Sequence, residues 1–343
     1  MKPTVAVALS GGTDSAIAAL VLQSAGHKVV GIHFILNEDA FAASQRQRAE
    51  EVARHLGIAL HVHDAIELFK SLIVTPSRAE YCAGRTPNPC VTCNRVVKFG
   101  ALLEHSRALG ADLMATGHYA RVEAMSGRYS LLRATDRHAD QSYFLYSIKP
   151  DILRHILFPL GTMARSEVHA IADREGFAAF KPSQDICFQV RPEREELQGD
   201  VVDIEGHIVG HHRGLESFTI GQRRGLGIAT GKPLYIVRID AEQNRVVVGG
   251  DEDLVCNAAL LREATWFSGS PPSPQQAVQA KARYRARATP ARVVTNEDGV
   301  AGVLFDEPQR AVAPGQSIVL YDGEVVLGGG IVAETYGGRR VEI

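Results

Sequence analysis

The chain contains 343 residues, of which 45% are hydrophobic and 22% are charged. This composition is typical of globular proteins and excludes a disordered chain, and the length predicts about two or three domains. The formal net charge is −2, so a nucleic-acid partner would have to be held by local basic patches rather than by a general positive field. The sequence shows no apolar signal-peptide core at its start and no later run of about 18 apolar residues. We therefore expect a soluble, cytoplasmic protein without a membrane partner.

The first half of the chain alternates short apolar runs with helical patterns. In chain order, the sequence predicts strands at residues 5–9, 28–36, 58–63 and 112–116, and helices at 16–24, 45–56 and 96–109. This alternation is typical of an α/β fold with a doubly wound parallel sheet. Ligands of such sheets bind at the carboxyl ends of the strands.

From residue 199 onward, short alternating strands are separated by turns rich in Gly, Asn and Asp. This spacing is typical of small β domains and β-barrels. We predict three domains: an α/β domain over residues 1–195, a small central β domain over 196–262, and a C-terminal β-barrel over 263–343.

Residues 10–15, with the sequence SGGTDS, lie between the first predicted strand and the first predicted helix. The two glycines let the backbone approach a ligand, and the helix start offers N–H groups to an anion. The loop lacks the GK[ST] of a Walker A motif and the GxGxxG of a dinucleotide site. The alternative is a plain turn in which Thr13 or Asp14 caps the helix. An acidic Asp14 in an anion-binding loop is consistent with Mg²⁺ accompanying phosphates.

The five cysteines form an odd set in a long chain, which argues against a disulfide framework. Cys90 and Cys93 form a CxxC pair that follows two prolines and precedes a helix predicted to begin near Arg95. Thiols at a helix start have depressed pKa values and act as nucleophiles or metal ligands. Cys187 is either a core thiol or a site residue, and Cys256 is interpreted as a buried structural thiol.

Several longer motifs carry a resemblance to a known family. SGGTDS resembles the loop of the PP-loop ATP pyrophosphatases, which cleave ATP to AMP and pyrophosphate. Together with GRTPNP, GHYA, DQSYFLY and SQDICF, it makes the whole chain resemble the bacterial tRNA-specific 2-thiouridylases. The resemblance implies ATP-dependent replacement of oxygen by sulfur at carbon 2 of the wobble uridine of tRNA. The partners implied are tRNA and a sulfur donor, either sulfide or a sulfur-carrier protein.

The resemblance also implies roles for individual residues. Cys187 would carry a persulfide sulfur, and Cys93 would help to release it. The residues implied in binding ATP are Ala8, Leu9, Ser10, Gly11, Gly12, Thr13, Asp14, Ser15, Phe34 and Gly117. The residues implied in binding tRNA are Asn88, Pro89, His118, Ala139, Asp140, Gln141, Arg283, Tyr284 and Gln316.

The chain departs from the family pattern at one position, where Cys90 stands in place of an acid/base aspartate. Three thiolates, Cys90, Cys93 and Cys187, suit a 4Fe–4S cluster with one open iron for hydrosulfide. The alternatives are a Cys187 persulfide without a cluster and a structural zinc site that Cys82 would complete. A ligase for a small metabolite would share the SGGTDS loop but would not need the three cysteines. A non-catalytic RNA-binding or metal-storage protein is a third hypothesis.

Residues 281–287 contain four basic side chains in alternate positions: Lys281, Arg283, Arg285 and Arg287. On a strand these would share one face and form a stripe suited to a phosphate backbone. The alternative is an ordinary solvated strand face. The resemblance favours RNA binding by Arg283 and Tyr284.

Overall fold

The computed structural model describes residues 2–125, 127–177, 197–228, 232–296 and 299–337. The chain forms two compact units. The first comprises Met1–Ile73, Cys90–Phe188 and Glu324–Val326, and the second comprises Val74–Pro89, Gln189–Gly323 and Leu327–Ile343. No helix in the described ranges is both long and apolar enough to cross a membrane.

The described α-helices are α1 Thr13–Ser24, α2 Ala40–Leu56, α3 Ile66–Phe69, α4 Thr75–Cys82, α5 Pro89–Cys93, α6 Leu103–Ala108 and α7 Arg165–Arg174. A π-helical segment, Asn94–Leu102, connects α5 to α6, and another, Lys70–Val74, connects α3 to α4. The strands are β1 Thr4–Ala8, β2 Lys28–Ile35, β3 Leu60–Asp64, β4 Leu113–Ala115, β5 Ala120–Met125, β6 Arg128–Arg133, β7 Ile156–Leu157, β8 Gly199–Val202, β9 Ile208–His212, β10 Tyr235–Asp240, β11 Arg245–Gly249, β12 Val255–Trp266, β13 Val278–Lys281, β14 Thr289–Thr295, β15 Ala301–Arg310, β16 Ser317–Asp322 and β17 Val325–Tyr336.

The first unit is built on a five-stranded sheet in the order β3-β2-β1-β4-β7. Every pairing in this sheet is parallel, which confirms the predicted α/β fold class. Side chains of α1 such as Ile17 and Ala18 are fully buried against Val5 and Val7 of β1. Burial of this apolar face stabilises α1 more than its intrinsic propensity does. The order places β1 in the centre of the sheet, with the loop of residues 10–12 directly after it.

Several parts of the first unit differ from the sequence prediction. The helices α3 and α7, the strand β7 and the hairpin of β5 and β6 were not predicted. The helix expected to begin near Arg95 begins instead at Pro89, so Cys90 and Cys93 lie inside a helical segment rather than before it. The physical reason is that proline is well suited to the first position of a helix, where its missing N–H costs no hydrogen bond.

The second unit contains two β structures. A four-stranded sheet has the order β10-β11-β8-β9, and its β8–β11 pair is parallel. The other six strands, in the order β12-β15-β14-β13-β16-β17, close into a barrel through the pairing of β12 with β17. Side chains such as Val293, Val303 and Ile318 fill the barrel core. The predicted small β domain and terminal barrel are therefore both present.

The predicted basic stripe on a strand is wrong. Strand β13 ends at Lys281, and antiparallel pairing with β14 starts at Thr289. The chain reverses direction between these residues, and the backbone N–H of Ala286 donates to the carbonyl of Arg283 at 3.1 Å. Arg283, Arg285 and Arg287 therefore belong to a turn.

Candidate active site

The loop after β1 is shaped by backbone geometry that requires glycine. Gly11 has a φ of 76°, and a Cβ on it would lie 2.8 Å from the Cα of Gln45. Both observations exclude other residues without a shift of the loop. The Ser15 hydroxyl donates to the carbonyl of Gly12 at 2.9 Å, and the Ser10 N–H donates to the Ser15 hydroxyl oxygen at 3.2 Å. The loop is thus preformed.

No side chain caps α1 at Gly12, although a cap was the alternative interpretation of this sequence. The Thr13 hydroxyl donates to the carbonyl of Phe177 at 3.2 Å, and Asp14 accepts a hydrogen bond from Tyr119. The start of α1 therefore has the features of an anion site: a glycine N-cap, nearby serine hydroxyls and the positive end of the helix dipole.

Most of the residues expected to bind ATP line a single cavity of the first unit. The cavity has an empty volume of about 1040 Å³, including the part open to solvent. Its lining includes Ala8, Leu9, Ser10, Asp14, Ser15, Phe34 and Gly117, whereas Gly11, Gly12 and Thr13 shape the loop without lining it. Lys98, His118, Gln141 and Cys93 line the same cavity. The sheet and its loops thus bring together side chains from widely separated parts of the sequence.

Asp14 is partly desolvated at the edge of this cavity. Burial raises the pKa of its carboxyl group, and the hydrogen bond from Tyr119 opposes that rise. The Tyr119 hydroxyl is the donor, 2.9 Å from Oδ1 of Asp14. Burial raises the pKa of Tyr119 far above its ordinary value, and the neighbouring Asp14 charge adds to the effect. Tyr119 therefore remains a neutral donor at physiological pH.

The two cysteines of the CxxC pair differ in exposure. Cys93 is buried and lines the cavity, whereas Cys90 is half-buried. They are three positions apart on one helical segment, a spacing that places side chains on the same face. Cys187 lies outside the described residues, and within the described ranges no cluster of three or more His, Cys, Asp or Glu is arranged to hold a metal. The described part of the chain thus supplies two of the three proposed thiol ligands.

His118 and His33 both line the cavity as neutral rings. The ring Nδ1 of His118 lies 2.7 Å from the Thr116 hydroxyl oxygen, and burial holds the pKa of His118 well below its ordinary value, with Lys98 reinforcing the effect. His33 Nδ1 donates to the carbonyl oxygen of Leu9 at 2.7 Å, and burial lowers the pKa of His33. No role for His33 was predicted, because a lone histidine in a strand carries no recognisable motif.

The residues expected to contact tRNA occupy varied positions. Ala139 and Pro89 are buried, and Asn88 is half-buried. The buried carboxylate of Asp140 accepts hydrogen bonds from the N–H of Ala134 at 3.0 Å and from the N–H and hydroxyl of Ser142 at 3.1 and 3.0 Å. The Asp140 side chain therefore forms hydrogen bonds within the protein.

In the second unit, the residues expected to contact tRNA also interact with neighbouring residues of the protein. Arg283 donates a hydrogen bond to the carbonyl oxygen of Ala311. The ammonium group of Lys281 lies 5.4 Å from the ring centre of Tyr284, within the range of a cation–π interaction. The Gln316 side-chain amide donates to the carbonyl oxygen of Thr86 at 2.9 Å.

Family models cover most of the chain. Residues 3–191 match the model described as tRNA methyl transferase HUP domain. Residues 190–250 match the tRNA methyl transferase PRC-barrel domain, and residues 257–332 match the aminomethyltransferase beta-barrel domain.

Full-length relatives are similar along the whole chain. The tRNA-specific 2-thiouridylase MnmA of Acidithiobacillus ferrooxidans is 43% identical over 96% of this chain and 98% of its own length. The protein of the same name from Roseiflexus sp. is 43% identical over 95% of this chain and 98% of its own. Among solved structures, the chain is similar to the U34-tRNA thiolase NcsA from Methanococcus maripaludis with its [4Fe-4S] cluster, at 18% identity and a TM-score of 0.36 over 55% of this chain and 61% of that one. From the family models and the full-length identities, we conclude that this chain belongs to the tRNA-specific 2-thiouridylase family.

Proposed function

We propose that this protein is a tRNA 2-thiouridylase, which uses ATP to replace the oxygen at carbon 2 of the wobble uridine by sulfur. One observation carries the proposal beyond family membership: the preformed anion loop and the buried thiol of Cys93 line the same cavity. Nucleotide activation and sulfur transfer require these two groups to face one reacting base. A ligase for a small metabolite would have no need for the thiol there.

The proposed reaction has two steps, adenylation of the base and displacement of AMP by sulfur. The oxygen at carbon 2 attacks the α-phosphorus of ATP, and pyrophosphate leaves, so that the uracil carries an adenylate. A sulfur nucleophile then attacks carbon 2, and AMP leaves with the original oxygen. The target base would be turned out of its stack to reach the cavity, as in other enzymes that modify nucleobases.

The loop of residues 10–15 would hold the ATP phosphates. The N–H groups at the start of α1 and the hydroxyls of Ser10 and Ser15 are suited to phosphate oxygens. A carboxylate at the rim of the cavity is a ligand that Mg²⁺ prefers, so Asp14 would hold the ion beside the phosphates. Phe34 and Gly117, which line the cavity, would flank the nucleotide.

We further propose that Cys90, Cys93 and Cys187 hold a 4Fe–4S cluster. The fit rests on the donor set, because thiolates are the usual ligands of such clusters, and on the placement of two thiols three positions apart on one helical segment. When bound, the cluster supplies an iron with an open position for hydrosulfide. The protein's own part is to place the Cys90 and Cys93 thiols on one helical segment and to exclude water around the buried Cys93. The alternative is a persulfide on Cys187, released with the help of Cys93.

The proposed tRNA contacts come from both units. In the first unit, His118 would contact the region of the target nucleotide, and residues 139–141 would contact the tRNA near the anticodon. In the second unit, Asn88 and Pro89 would face the target base, Gln316 would contact the region of the target nucleotide, and Arg283 and Tyr284 would bind the RNA. Interactions with phosphates supply much of the affinity of such complexes. Because the proposed substrate is tRNA, we place the enzyme in the cytoplasm.

The first experiment is a thiolation assay on protein purified without oxygen. tRNA incubated with protein, ATP and sulfide is run on a gel that retards thiolated RNA, while AMP is measured in parallel. We expect a retarded band that depends on ATP. AMP formation without a retarded band would favour a ligase for another substrate, and neither product would favour the non-catalytic hypothesis.

The second experiment measures iron and acid-labile sulfide in the same preparation. We expect about four of each per chain, a marked loss in Cys90→Ser, and no change in the control Cys82→Ser, which removes an exposed thiol. Thiolation by protein that holds no iron after reconstitution would overturn the cluster and favour the Cys187 persulfide.

A further inference from the structure

Tyr119 links the protein core directly to the nucleotide loop. Its side chain is 1% exposed and packs in the main core of the first unit, where the ring is held in one place. Its hydroxyl reaches Oδ1 of Asp14 at 2.9 Å, across 105 positions of sequence. The other oxygen, Oδ2, makes no hydrogen bond to the described residues. The hydrogen bond thus fixes one carboxylate oxygen and leaves the other to a ligand.

The backbone around Tyr119 also touches the loop. A Cβ on Gly117 would lie 2.7 Å from the carbonyl carbon of Asp14 and 2.8 Å from the nitrogen of Ser15. Side-chain atoms essentially never approach backbone so closely, so only glycine fits here. The segment after β4 therefore packs on the first turn of α1 backbone to backbone, and Tyr119 follows two residues later.

Gln141 holds the peptide groups of Tyr119 from the other side. Its side-chain Oε1 accepts a hydrogen bond from the Tyr119 N–H at 3.0 Å, and its own N–H donates to the Tyr119 carbonyl oxygen at 2.8 Å. Both backbone groups of Tyr119 are therefore paired with one residue. Gln141 also lines the cavity, so a single chain of hydrogen bonds runs from the cavity wall through Tyr119 to Asp14.

We propose that Tyr119 is a positioning residue for ATP activation: its hydroxyl orients the Asp14 carboxylate, and Gln141 fixes Tyr119 for this task. The proposal rests on the proposed function, because it assumes that the loop holds ATP. A carboxylate with one oxygen bound to a rigid phenol presents the other oxygen in a single direction. Such preorganisation lowers the barrier of the chemical step more than it strengthens ground-state binding.

The test is Tyr119→Phe, which keeps the ring and removes only the hydroxyl. We expect kcat for AMP formation to fall by about tenfold or more, the size expected when a hydrogen bond to a charged group is removed. The KM for ATP should change by less than about threefold, because the backbone and serine donors to the phosphates stay in place. The Mg²⁺ concentration for half-maximal activity should rise. Tyr321→Phe makes the same change at a fully buried tyrosine of β16 and should leave all three values unchanged.

The outcomes separate this inference from the function on which it rests. A wild-type protein that forms no AMP with ATP and tRNA would overturn both. A wild-type protein that is active, with Tyr119→Phe equal to it in kcat and in Mg²⁺ dependence, would overturn the inference alone. A reduced kcat that follows a lowered melting temperature, with a parallel change in KM, would indicate a packing role and would also overturn it.

A second variant tests the hydrogen bond between Gln141 and the Tyr119 N–H and leaves the Tyr119 hydroxyl in place. Gln141→Leu removes the acceptor for the Tyr119 N–H and should lower kcat in the same direction, measured at saturating tRNA. In the double variant the two reductions should be less than additive, because both act on the same carboxylate. Fully additive reductions would show that Gln141 acts independently of Tyr119 and would overturn this part of the proposal.

Discussion

The side-chain amide of Gln316 donates a hydrogen bond to the carbonyl oxygen of Thr86, 2.9 Å away, across 230 positions of sequence. The Thr86 N–H in turn donates to the carbonyl of Pro314 at 2.9 Å, and a Cβ on Gly315 would lie 2.9 Å from the Thr86 carbonyl. The residues that precede β16 therefore hold the segment that leads into the proposed base-facing residue Asn88.

Gln316→Ala should slow thiolation by several-fold while lowering the free energy of unfolding by only about 1 kcal/mol, the usual net value of one hydrogen bond. The reason is that the Thr86 carbonyl loses its partner and the following residues become freer to move. Thiolation rates and melting temperatures measure the two effects. Gln279→Ala removes an exposed glutamine of β13 and serves as the control. Equal rates for the two variants would contradict the expectation.

We expect the ion pairs of Glu80 to contribute to the stability of the protein and to lose this contribution at acidic pH. Its carboxylate accepts hydrogen bonds from Arg85 at 2.8 and 2.7 Å and from Arg262 at 2.7 Å. The hydrogen bond from Arg85 is the largest cause that holds the pKa of Glu80 below its ordinary value, although burial opposes it. Because the folded pKa lies below the unfolded one, the contribution is present above about pH 4.3 and disappears as pH falls through the folded pKa.

Glu80→Gln should therefore lower the free energy of unfolding by about 1 to 2 kcal/mol at pH 7. The difference between wild type and variant should shrink as the pH is lowered below the ordinary range of a glutamate. Denaturant titrations at several pH values measure this difference. Glu242→Gln changes an exposed glutamate of the same unit and should show no such trend. A difference that is constant down to pH 3 would contradict the assignment.

Arg283→Ala should weaken tRNA binding and reduce the slope of log affinity against log salt by about 0.9 for each phosphate that the side chain neutralises in the wild type. Arg283→Lys keeps the charge and should restore most of the slope. Because Arg283 also donates to Ala311, melting curves must accompany the binding titrations. Arg292→Ala, an exposed arginine of β14, is the control. A slope unchanged in Arg283→Ala would place this turn away from the RNA.

Gly117→Ala should impair ATP use, because the new Cβ would displace the backbone of Asp14 and Ser15. Steric overpacking of this kind costs about 1 to 3 kcal/mol, so the KM for ATP should rise by about tenfold or more. The control is Gly302→Ala, in which the new Cβ would contact mainly the flexible side chains of Val294 and Leu260. This variant should leave the KM unchanged. AMP formation at varied ATP concentrations measures both. A normal KM in Gly117→Ala would argue against a nucleotide beside this segment.

The sequence predicts four of the five strands of the parallel sheet, because local periodicity and glycine positions are sufficient for them, whereas the two-residue strand β7 was not predicted. Strand β2, for example, ends one residue from its predicted end. The basic turn was mistaken for a strand because alternate arginines imitate strand periodicity, while the reversal before Thr289 is set by pairing with β14. Tyr119 belongs to the GHYA motif but had no predicted role, since its hydrogen bond to Asp14 spans 105 positions. Side-chain interactions at such separations leave no local pattern in a single sequence.

The division of the chain has a consequence for synthesis on the ribosome. Val74–Pro89 belongs to the second unit, although most of that unit follows Gln189, and Glu80 meets Arg262 only 182 positions later. At about 5 to 20 residues per second, the ribosome needs about 10 to 40 s to deliver that partner. Helix α4 is therefore synthesised well before the strand that carries Arg262, and most of the first unit is made in between. A nascent chain released before residue 262 would lack one of the two arginines that pair with Glu80. A fragment that ends after Phe188 would therefore carry the insertion Val74–Pro89 without most of the unit to which it belongs.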